Sequence, residues 1–464
     1  MRKAMRPEFN ARLIEQYGGP GPRYASYPTA MQFSNEYSVT QWAEALADAN
    51  QLPIPADLSL YINVPIRSTP GFKRNAHRVV TRSSVAGQQF LIQLEREIRA
   101  VARRIDDDRQ VRQVHIGGGS STFLNSVQLD QLVRLLKIHF SMDGNVDLGL
   151  DVDPSTIDSG SIRALANTGF NHMSIGVQGL NPDPRRAANR IHSDERIKAV
   201  VHAARRLRFG SINVELIYGL PRQTTAEFAF TVEKIIRLRP DRISLINYAH
   251  QPNPFKAQQG KNADELPSSA NQLAIIRNTF NRLLDVGYEF IGMDHFALPN
   301  DALAVAHREG RLMRGTQGYS THAGLDLIGL GPGAISEVNQ SFVQNHRTQT
   351  TWEQSLLKDE LPIARGLDRS QDDELRARII GDIMCRGAVS WQGYDLDYQL
   401  SCLTYFEAEI VQLHALAEDG LIEWLDGGFC LTPSGMLFVR AVARVFDVYL
   451  NHTRSDVHTL SQIV

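Results

Sequence analysis

Tyr61-Ile-Asn-Val-Pro65-Ile-Arg67-Ser-Thr-Pro-Gly71-Phe-Lys73-Arg74-Asn-Ala76-His77-Arg78-Val-Val-Thr-Arg82 begins as a strand and opens into a loop. Its first residues continue an apolar run from Leu58, the length of one buried strand. The loop carries Arg67, Lys73, Arg74, Arg78 and Arg82, and no acidic residue lies between Asp57 and Glu95. It contains no cysteine. In a parallel α/β chain the carboxyl end of a strand is where ligands and cofactors sit, so this loop carries much of the functional question.

Outward from the loop, the pattern alternates between strands and helices from Leu58 to about Ile291. After Val85, the spacing of Phe90, Leu91, Leu94, Ile98 and Val101 marks one helical face. Val111–Ile116 reads as a strand that runs into Gly117-Gly-Gly-Ser-Ser-Thr122. Ser126 is the expected N-cap of a helix with Leu129, Leu132, Val133, Leu136 and Phe140 inward. Val146–Val152, Met173–Val177, Ile212–Ile217 and Arg242–Ile246 are further strands, each followed by a helix-length segment. Six such units predict a parallel sheet with right-handed crossovers, and an open, partial (β/α)6 barrel rather than a closed eight-unit one. Few of these strands read as alternating cleanly between apolar and polar, which predicts a sheet covered on both faces.

Residues 1–50 form an expected N-terminal arm, whose centre Gly18-Gly-Pro-Gly-Pro-Arg23-Tyr-Ala-Ser-Tyr27-Pro excludes a regular helix. Residues 51–300 are assigned to the barrel, 301–364 to a barrel extension or linker, and 365–464 to a mainly helical C-terminal domain. In that last part Asp372–Cys385, Tyr405–Asp419 and a stretch from Ser434 to about Leu450 read as helices. A hairpin turns at Asp426-Gly427-Gly428. Helices around a small β-wing resemble a winged-helix module.

The composition is that of a globular chain: 464 residues, 42% hydrophobic and 22% charged, with a net charge of -2. Such a charge gives no global attraction to nucleic acid or anionic membrane, so anion binding must come from a local patch. The helix expected from Ser434 has only Arg440 and Arg444 as cations, too few for a recognition face, and no nucleic-acid partner is expected. Cys385, Cys402 and Cys430 are the only cysteines, too widely spaced for a disulfide framework or a close metal cluster. The basic start Met1-Arg-Lys-Ala-Met-Arg-Pro7 is not followed by an apolar segment, and no run is long enough to span a bilayer. The expected compartment is the cytoplasm.

Five stretches fall at successive strand ends: the loop Asn63–Arg82, Gly117–Gly119, Asp151-Val-Asp153-Pro154, Ser174-Ile-Gly-Val-Gln178 with Asn189-Arg190, and Glu215-Leu-Ile-Tyr-Gly-Leu-Pro221. Together they outline a polar rim suited to a zwitterionic or nucleoside-like ligand. Asp294, His295 and His250 are candidate acid/base residues.

Nearly the whole chain resembles the oxygen-independent coproporphyrinogen III dehydrogenases, a radical S-adenosylmethionine (SAM) family of haem biosynthesis. The resemblance is carried by Gly21-Pro-Arg-Tyr-Ala-Ser-Tyr-Pro-Thr-Ala30, Gly117-Gly-Gly119, Ser174-Ile-Gly-Val-Gln178, Leu216-Ile-Tyr-Gly-Leu-Pro221, Asn247-Tyr-Ala-His250, Phe290-Ile-Gly-Met-Asp-His-Phe-Ala297 and Gln317-Gly-Tyr319. It implies a radical-SAM-type partial barrel with an N-terminal arm and a helical domain. It also implies that Tyr61, Gly118, Gly119, Asp151, Gln178, Arg190 and Glu215 surround SAM. Gln317 falls where the family contacts a second SAM.

The departures concentrate in the loop. The family's cluster cysteines fall on Arg67, Gly71 and Arg74, and a fourth nearby cysteine falls on Ala76. Iron–sulfur clusters need thiolates, and a guanidinium is a permanent cation. No iron–sulfur cluster, and no metal at Arg67, Gly71 and Arg74, is therefore expected. Asn63 stands for a histidine, Asp151 for a glutamate and Glu215 for an aspartate, each exchange in length moving a carboxylate by roughly 1.5 Å. The leading expectation is a cluster-less relative that binds a porphyrin, haem or other anionic tetrapyrrole, with Arg67, Arg74, Arg78 and Arg23 as anion-binding candidates. The alternatives are a non-radical enzyme using SAM or a nucleotide, and a regulatory pseudoenzyme that binds a protein partner.

Overall fold

All six strands expected from the sequence form, as Leu58–Val64, Val111–Gly118, Asp147–Val152, His172–Val177, Ser211–Tyr218 and Arg242–Asn247. They pair in parallel in chain order. The computed structural model describes residues 6–67, 79–80, 84–118, 121–177, 179–180, 194–248, 265–450 and 461–462. The chain divides into two units. One comprises Phe33–Ile275 and Gly324–Asp368; the other comprises Met1–Gln32, Ile276–Ala323 and Arg369–Val464.

In the first unit the helices Ser84–Ala102, Ser126–His139, Ser159–Thr168, Asp194–Arg206 and Thr225–Leu238 follow the first five strands, each packing on the next. They therefore cover one face of the sheet. Against them lie Leu58, Leu60, Ile62 and Val64, all fully buried, with Phe90, Leu91, Leu94 and Ile98 of the first helix. The other face carries polar side chains and glycine. In the first strand Ser59 and Asn63 are buried as well, with Tyr61 partly exposed, and in the fourth His172, Ser174 and Gly176 are partly exposed between buried apolar residues. Side-chain type thus alternates in these two strands, polar or glycine on one face and apolar on the other.

Past Leu58–Val64 the sheet continues. Asp326–Leu330 joins in parallel, followed by Ile335–Val338, Ser341–Asn345 and Ile363–Asp368 in antiparallel order. The sequence reading places no strand there.

The helix after the second strand begins at Ser126, but its cap is Asn125, not Ser126. The Asn125 side chain accepts from Gln128 N at 2.9 Å, and Gln128 Oε1 accepts from Asn125 N at 3.1 Å. This reciprocal box satisfies two of the helix's open donors. Asn125→Ala is expected to cost about 1 kcal/mol in denaturant unfolding, whereas Ser126→Ala is expected to leave stability unchanged.

In the second unit the helix Gln371–Arg386 precedes a three-stranded antiparallel wing of Ala388–Ser390, Gly428–Leu431 and Ile422–Leu425. The single helix expected from Ser434 is two short ones, Pro433–Leu437 and Val439–Arg444, broken at the fully buried Phe438. The break seats Phe438 in the core and turns Arg440 inward, where it donates to the carbonyls of Gly21 and Pro22. The N-terminal arm is held the same way: Tyr24 Oη donates to Asp447 at 3.1 Å, and Val448 N donates to Tyr27 Oη at 3.3 Å. Among the described residues no helix is long and apolar enough to cross a membrane.

Candidate functional site

The polar face of the parallel sheet carries the residues that the sequence reading assigned to a rim. Strand register sets Tyr61 beside His115, and His115 beside Gly149. The Tyr61 ring stacks on the His115 ring at 6.0 Å with 4° between planes. His115 Nε2 lies 3.2 Å from Asp151 Oδ1. Both side chains are about a quarter exposed, at 27% and 26%. Two glycines make room for the imidazole: a Cβ on Gly117 would meet it at 3.2 Å, and one on Gly149 would meet Nδ1 at 3.1 Å. A carboxylate on one ring nitrogen orients the imidazole and leaves the other to exchange a proton. Further across, Asn213 Nδ2 donates to Ser174 Oγ at 2.9 Å, and Ser244 Oγ donates to Asn213 Oδ1 at 3.1 Å. Register places Glu215 beside Gly176 and Ser244.

Tyr61, Gly118, Asp151 and Glu215 therefore belong to one sheet. Gly118 has a positive φ of 93°, and the Asn63 side-chain oxygen occupies the space its Cβ would take. Gly119, Gln178 and Arg190 lie outside the described residues, as do Gly71, Arg74, Arg78 and His250. Arg67 closes the short strand Ile66–Arg67, which pairs in parallel with Val79–Val80.

Gln317 and Arg23 belong to the second unit. Gln317 lies in the turn between Met313–Gly315 and Gly318–Ser320. Arg23 Nη2 donates to Asp294 Oδ2 at 2.5 Å, and His295 Nδ1 stands 2.6 Å from Asp294 Oδ1. Burial alone would raise the Asp294 carboxyl, but the Arg23 guanidinium and His295 hold it far below the usual carboxylate range. Asp294 is thus paired with both as a counter-ion.

Sequence reasoning missed His115, which reads as a core residue until the register brings Asp151 to it. It also missed the buried carboxylate of Glu97. Glu97, 1% exposed, accepts from Gly331 N at 2.7 Å, from Asn345 Nδ2 and from Trp352 Nε1 at 3.0 Å. Asn63 Nδ2 donates to the carbonyl of Pro332. Asn63 is the penultimate residue of the strand Leu58–Val64, and Glu97 sits on the helix that follows, Ser84–Ala102. Both are therefore tied to the same Gly331–Pro332 turn. Burial pushes the Glu97 carboxyl up to about 7, against the pull of its three donors.

The chemistry of the thiols bears on an iron–sulfur cluster. Burial pushes Cys385 and Cys402 up to about 12 and raises Cys430, so all three are neutral thiols. All three belong to the second unit. This donor set does not fit a cluster at the loop of the first unit, which has no thiol of its own.

Comparison with known proteins matches residues 87–235 to the Radical SAM superfamily and residues 370–438 to the HemN C-terminal domain. The chain is 38% identical over 444 residues to the oxygen-independent coproporphyrinogen III oxidase of Pseudomonas aeruginosa, covering 95% of this chain and 96% of that one. Against the Escherichia coli protein of the same name the identity is 37% over 443 residues, covering 96% of each. The solved structure of coproporphyrinogen III oxidase (HemN) from Escherichia coli, a radical SAM enzyme, superposes with a TM-score of 0.89 at 35% identity, covering 96% of this chain and 100% of that one. With the six-stranded parallel sheet and the helical C-terminal part held in common over nearly their full lengths, this chain belongs to the oxygen-independent coproporphyrinogen III oxidase family of the radical SAM superfamily.

Proposed function

We propose that this chain is a cluster-less member of its family, that it does not perform radical SAM chemistry, and that it binds an anionic tetrapyrrole such as a porphyrin or haem. One observation carries the reading: Arg67, Gly71 and Arg74 stand where the family resemblance places cluster cysteines, in a chain otherwise alike along its length. The cluster supplies the electron that cleaves SAM, and no residue of the loop replaces a thiolate. The same replacements add two guanidinium groups to the loop's sequence, and guanidinium pairs bidentately with carboxylates. The relatives' name, coproporphyrinogen III oxidase, supports a carboxylated tetrapyrrole as the ligand.

The test is direct. Protein purified without oxygen is expected to lack stoichiometric iron and sulfide and to show no broad iron–sulfur absorption. Titration with coproporphyrin III or haem is expected to shift the Soret band. Arg67→Ala/Arg74→Ala is expected to weaken that binding by roughly tenfold or more, the worth of one charged hydrogen bond. Stoichiometric cluster in the wild type, or equal and negligible affinity in both proteins, overturns the reading.

The His115–Asp151 pair favours one second reading, polar chemistry on SAM or a nucleotide-like ligand. SAM would be held by Tyr61, Gly118, Asp151 and Glu215, with His115 moving a proton at its open ring nitrogen. Absence of heat on calorimetric titration with SAM removes it.

A further inference from the structure

At the antiparallel end of the sheet in the first unit, two guanidinium groups converge on one neutral oxygen. Ser341–Asn345 and Ile363–Asp368 pair so that Gln344 stands opposite Arg365. Residues opposite one another in an antiparallel pair project from the same face. Arg365 Nε accordingly donates to Gln344 Oε1 at 2.9 Å. Arg347, just past the end of Ser341–Asn345, reaches the same oxygen in longer contacts, with Nε at 3.4 Å and Nη2 at 3.3 Å. Gln344 is 8% exposed, and its Nε2 donates to the carbonyl of Gly333 at 3.0 Å, so its oxygen is the end turned to the arginines.

Neither arginine has a counter-ion. Among the described residues neither makes an ion pair, and neither makes a hydrogen bond beyond those to Gln344. Burial and the Arg347 charge push the Arg365 guanidinium down to about 10, and no acidic group offsets them. Both groups are nonetheless held in position. The Arg365 guanidinium lies over the Phe33 ring at 5.6 Å, and Phe33 stacks on the fully buried Phe342 at 5.7 Å. The backbone beside Arg347 is fixed by Gly333 N, which donates to His346 O at 2.8 Å. Two cations at close quarters repel, and one amide oxygen carries no charge to offset them. Arg347 Nη1 and both terminal nitrogens of Arg365 are left as donors without an acceptor among the described residues.

We infer that Arg347 and Arg365 form a binding site for a doubly charged tetrahedral oxyanion, phosphate either free or as the end of a monoester. Charge sets the class. Two permanent cations facing no carboxylate match a phosphate, which carries about 1.5 to 2 negative charges at pH 7. The number of oxygens agrees with the charge. A phosphate can meet both guanidinium forks at once, whereas a carboxylate offers two oxygens and one charge. Gln344 orients the two forks without neutralising them. Arg347 is exposed, so an anion reaches the pair from solvent. The site uses none of the loop arginines on which the tetrapyrrole reading rests.

Inorganic phosphate, methyl phosphate and acetate are titrated by calorimetry at constant ionic strength against the full-length wild type, Arg347→Gln, Arg365→Gln and Gln344→Glu, with thermal melting to verify folding. Wild type is expected to bind phosphate saturably. Each arginine variant is expected to weaken it by roughly ten- to a hundredfold, the worth of a charged hydrogen bond. Gln344→Glu keeps both arginines and the side-chain volume but sets a carboxylate between them. It is expected to lose phosphate binding at least as completely, and it keeps the test open if Arg365→Gln does not fold. Phosphate is expected to raise the melting midpoint of wild type and to leave that of Gln344→Glu unchanged. Tighter binding of methyl phosphate than of inorganic phosphate assigns the site to monoesters, and equal or weaker binding assigns it to free phosphate; either result sustains it. Absence of saturable binding by wild type, equal binding by wild type and all variants, or acetate bound as tightly as phosphate overturns it. None of these outcomes bears on the tetrapyrrole reading.

Discussion

Replacing Glu97 by alanine is expected to lower the unfolding free energy by about 3–5 kcal/mol, combining a cavity with two stranded donors. Gly331 N, Asn345 Nδ2 and Trp352 Nε1 all point at the Glu97 carboxylate. Asn345 Nδ2 also donates to Gly331 O at 2.9 Å, but Gly331 N and Trp352 Nε1 have no other acceptor among the described residues, and Glu97 is buried away from bulk water. Trp352 is fully buried and stacks on Phe90 at 5.7 Å, so its fluorescence in a denaturant titration reports the loss directly. Glu97→Gln is the sharper test. An amide keeps the volume but turns an N–H2 toward donors, and it is expected to cost about 2–3 kcal/mol. A change below about 0.5 kcal/mol in both variants would show that the clamp is not energetically coupled to the fold.

The same residue sets a pH dependence. The folded carboxyl is raised from 4.5 to about 7 by burial. Between those values the folded chain keeps a proton that the unfolded chain has released. The stability that Glu97 contributes is thus fully present below about pH 4.5 and is lost as pH rises through about 7. Wild type is expected to lose stability over that interval relative to Glu97→Gln, with a slope approaching 1.4 kcal/mol per pH unit. Parallel stability–pH curves for the two proteins would contradict it.

Much of the sheet was legible because its aliphatic face is written in runs that few other elements produce. Leu58, Leu60, Ile62 and Val64, or Met173, Ile175 and Val177, can only be strand cores at that spacing. The polar face was harder to read because glycine holds several of its places. Gly117, Gly149 and Gly176 interrupt the alternation that Tyr61, His115, Asp151, Ser174 and Asn213 would otherwise display. Those glycines give His115 and Asp151 their room, so the feature that builds the site also hides the pattern that announces it. His115 and Asp151 are far apart in sequence, and only the register of adjacent parallel strands brings them together. Asp326–Leu330 was missed because its parallel partner, Leu58–Val64, is distant in sequence and no local pattern records the pairing.

Removing Arg109 is expected to destabilise the sheet unit by about 3–5 kcal/mol, because it leaves a carboxylate buried without its cation. The Arg109 side chain is fully buried. Its guanidinium donates to Ala56 O at 2.8 Å, to Asn50 Oδ1 at 3.3 Å and to Asp326. Asp326 also accepts from Asn339 N at 3.0 Å, and its own N–H donates to Asp57 O at 2.9 Å. The pair thus fixes the start of Asp326–Leu330 against the first strand, where Asp326 registers with Leu58. The far end of the same strand runs into Gly331, whose N–H is held by Glu97 and whose positive φ of 96° no other residue adopts without strain. Asp326–Leu330 is therefore held at one end by an ion pair and at the other by a hydrogen-bonded carboxylate. A double-mutant cycle separates the pair from its surroundings. Arg109→Met and Asp326→Asn are each expected to be destabilising, and their combination is expected to fall about 2 kcal/mol short of the sum. Strict additivity in denaturant unfolding would mean that Arg109 acts through Ala56 and Asn50 alone.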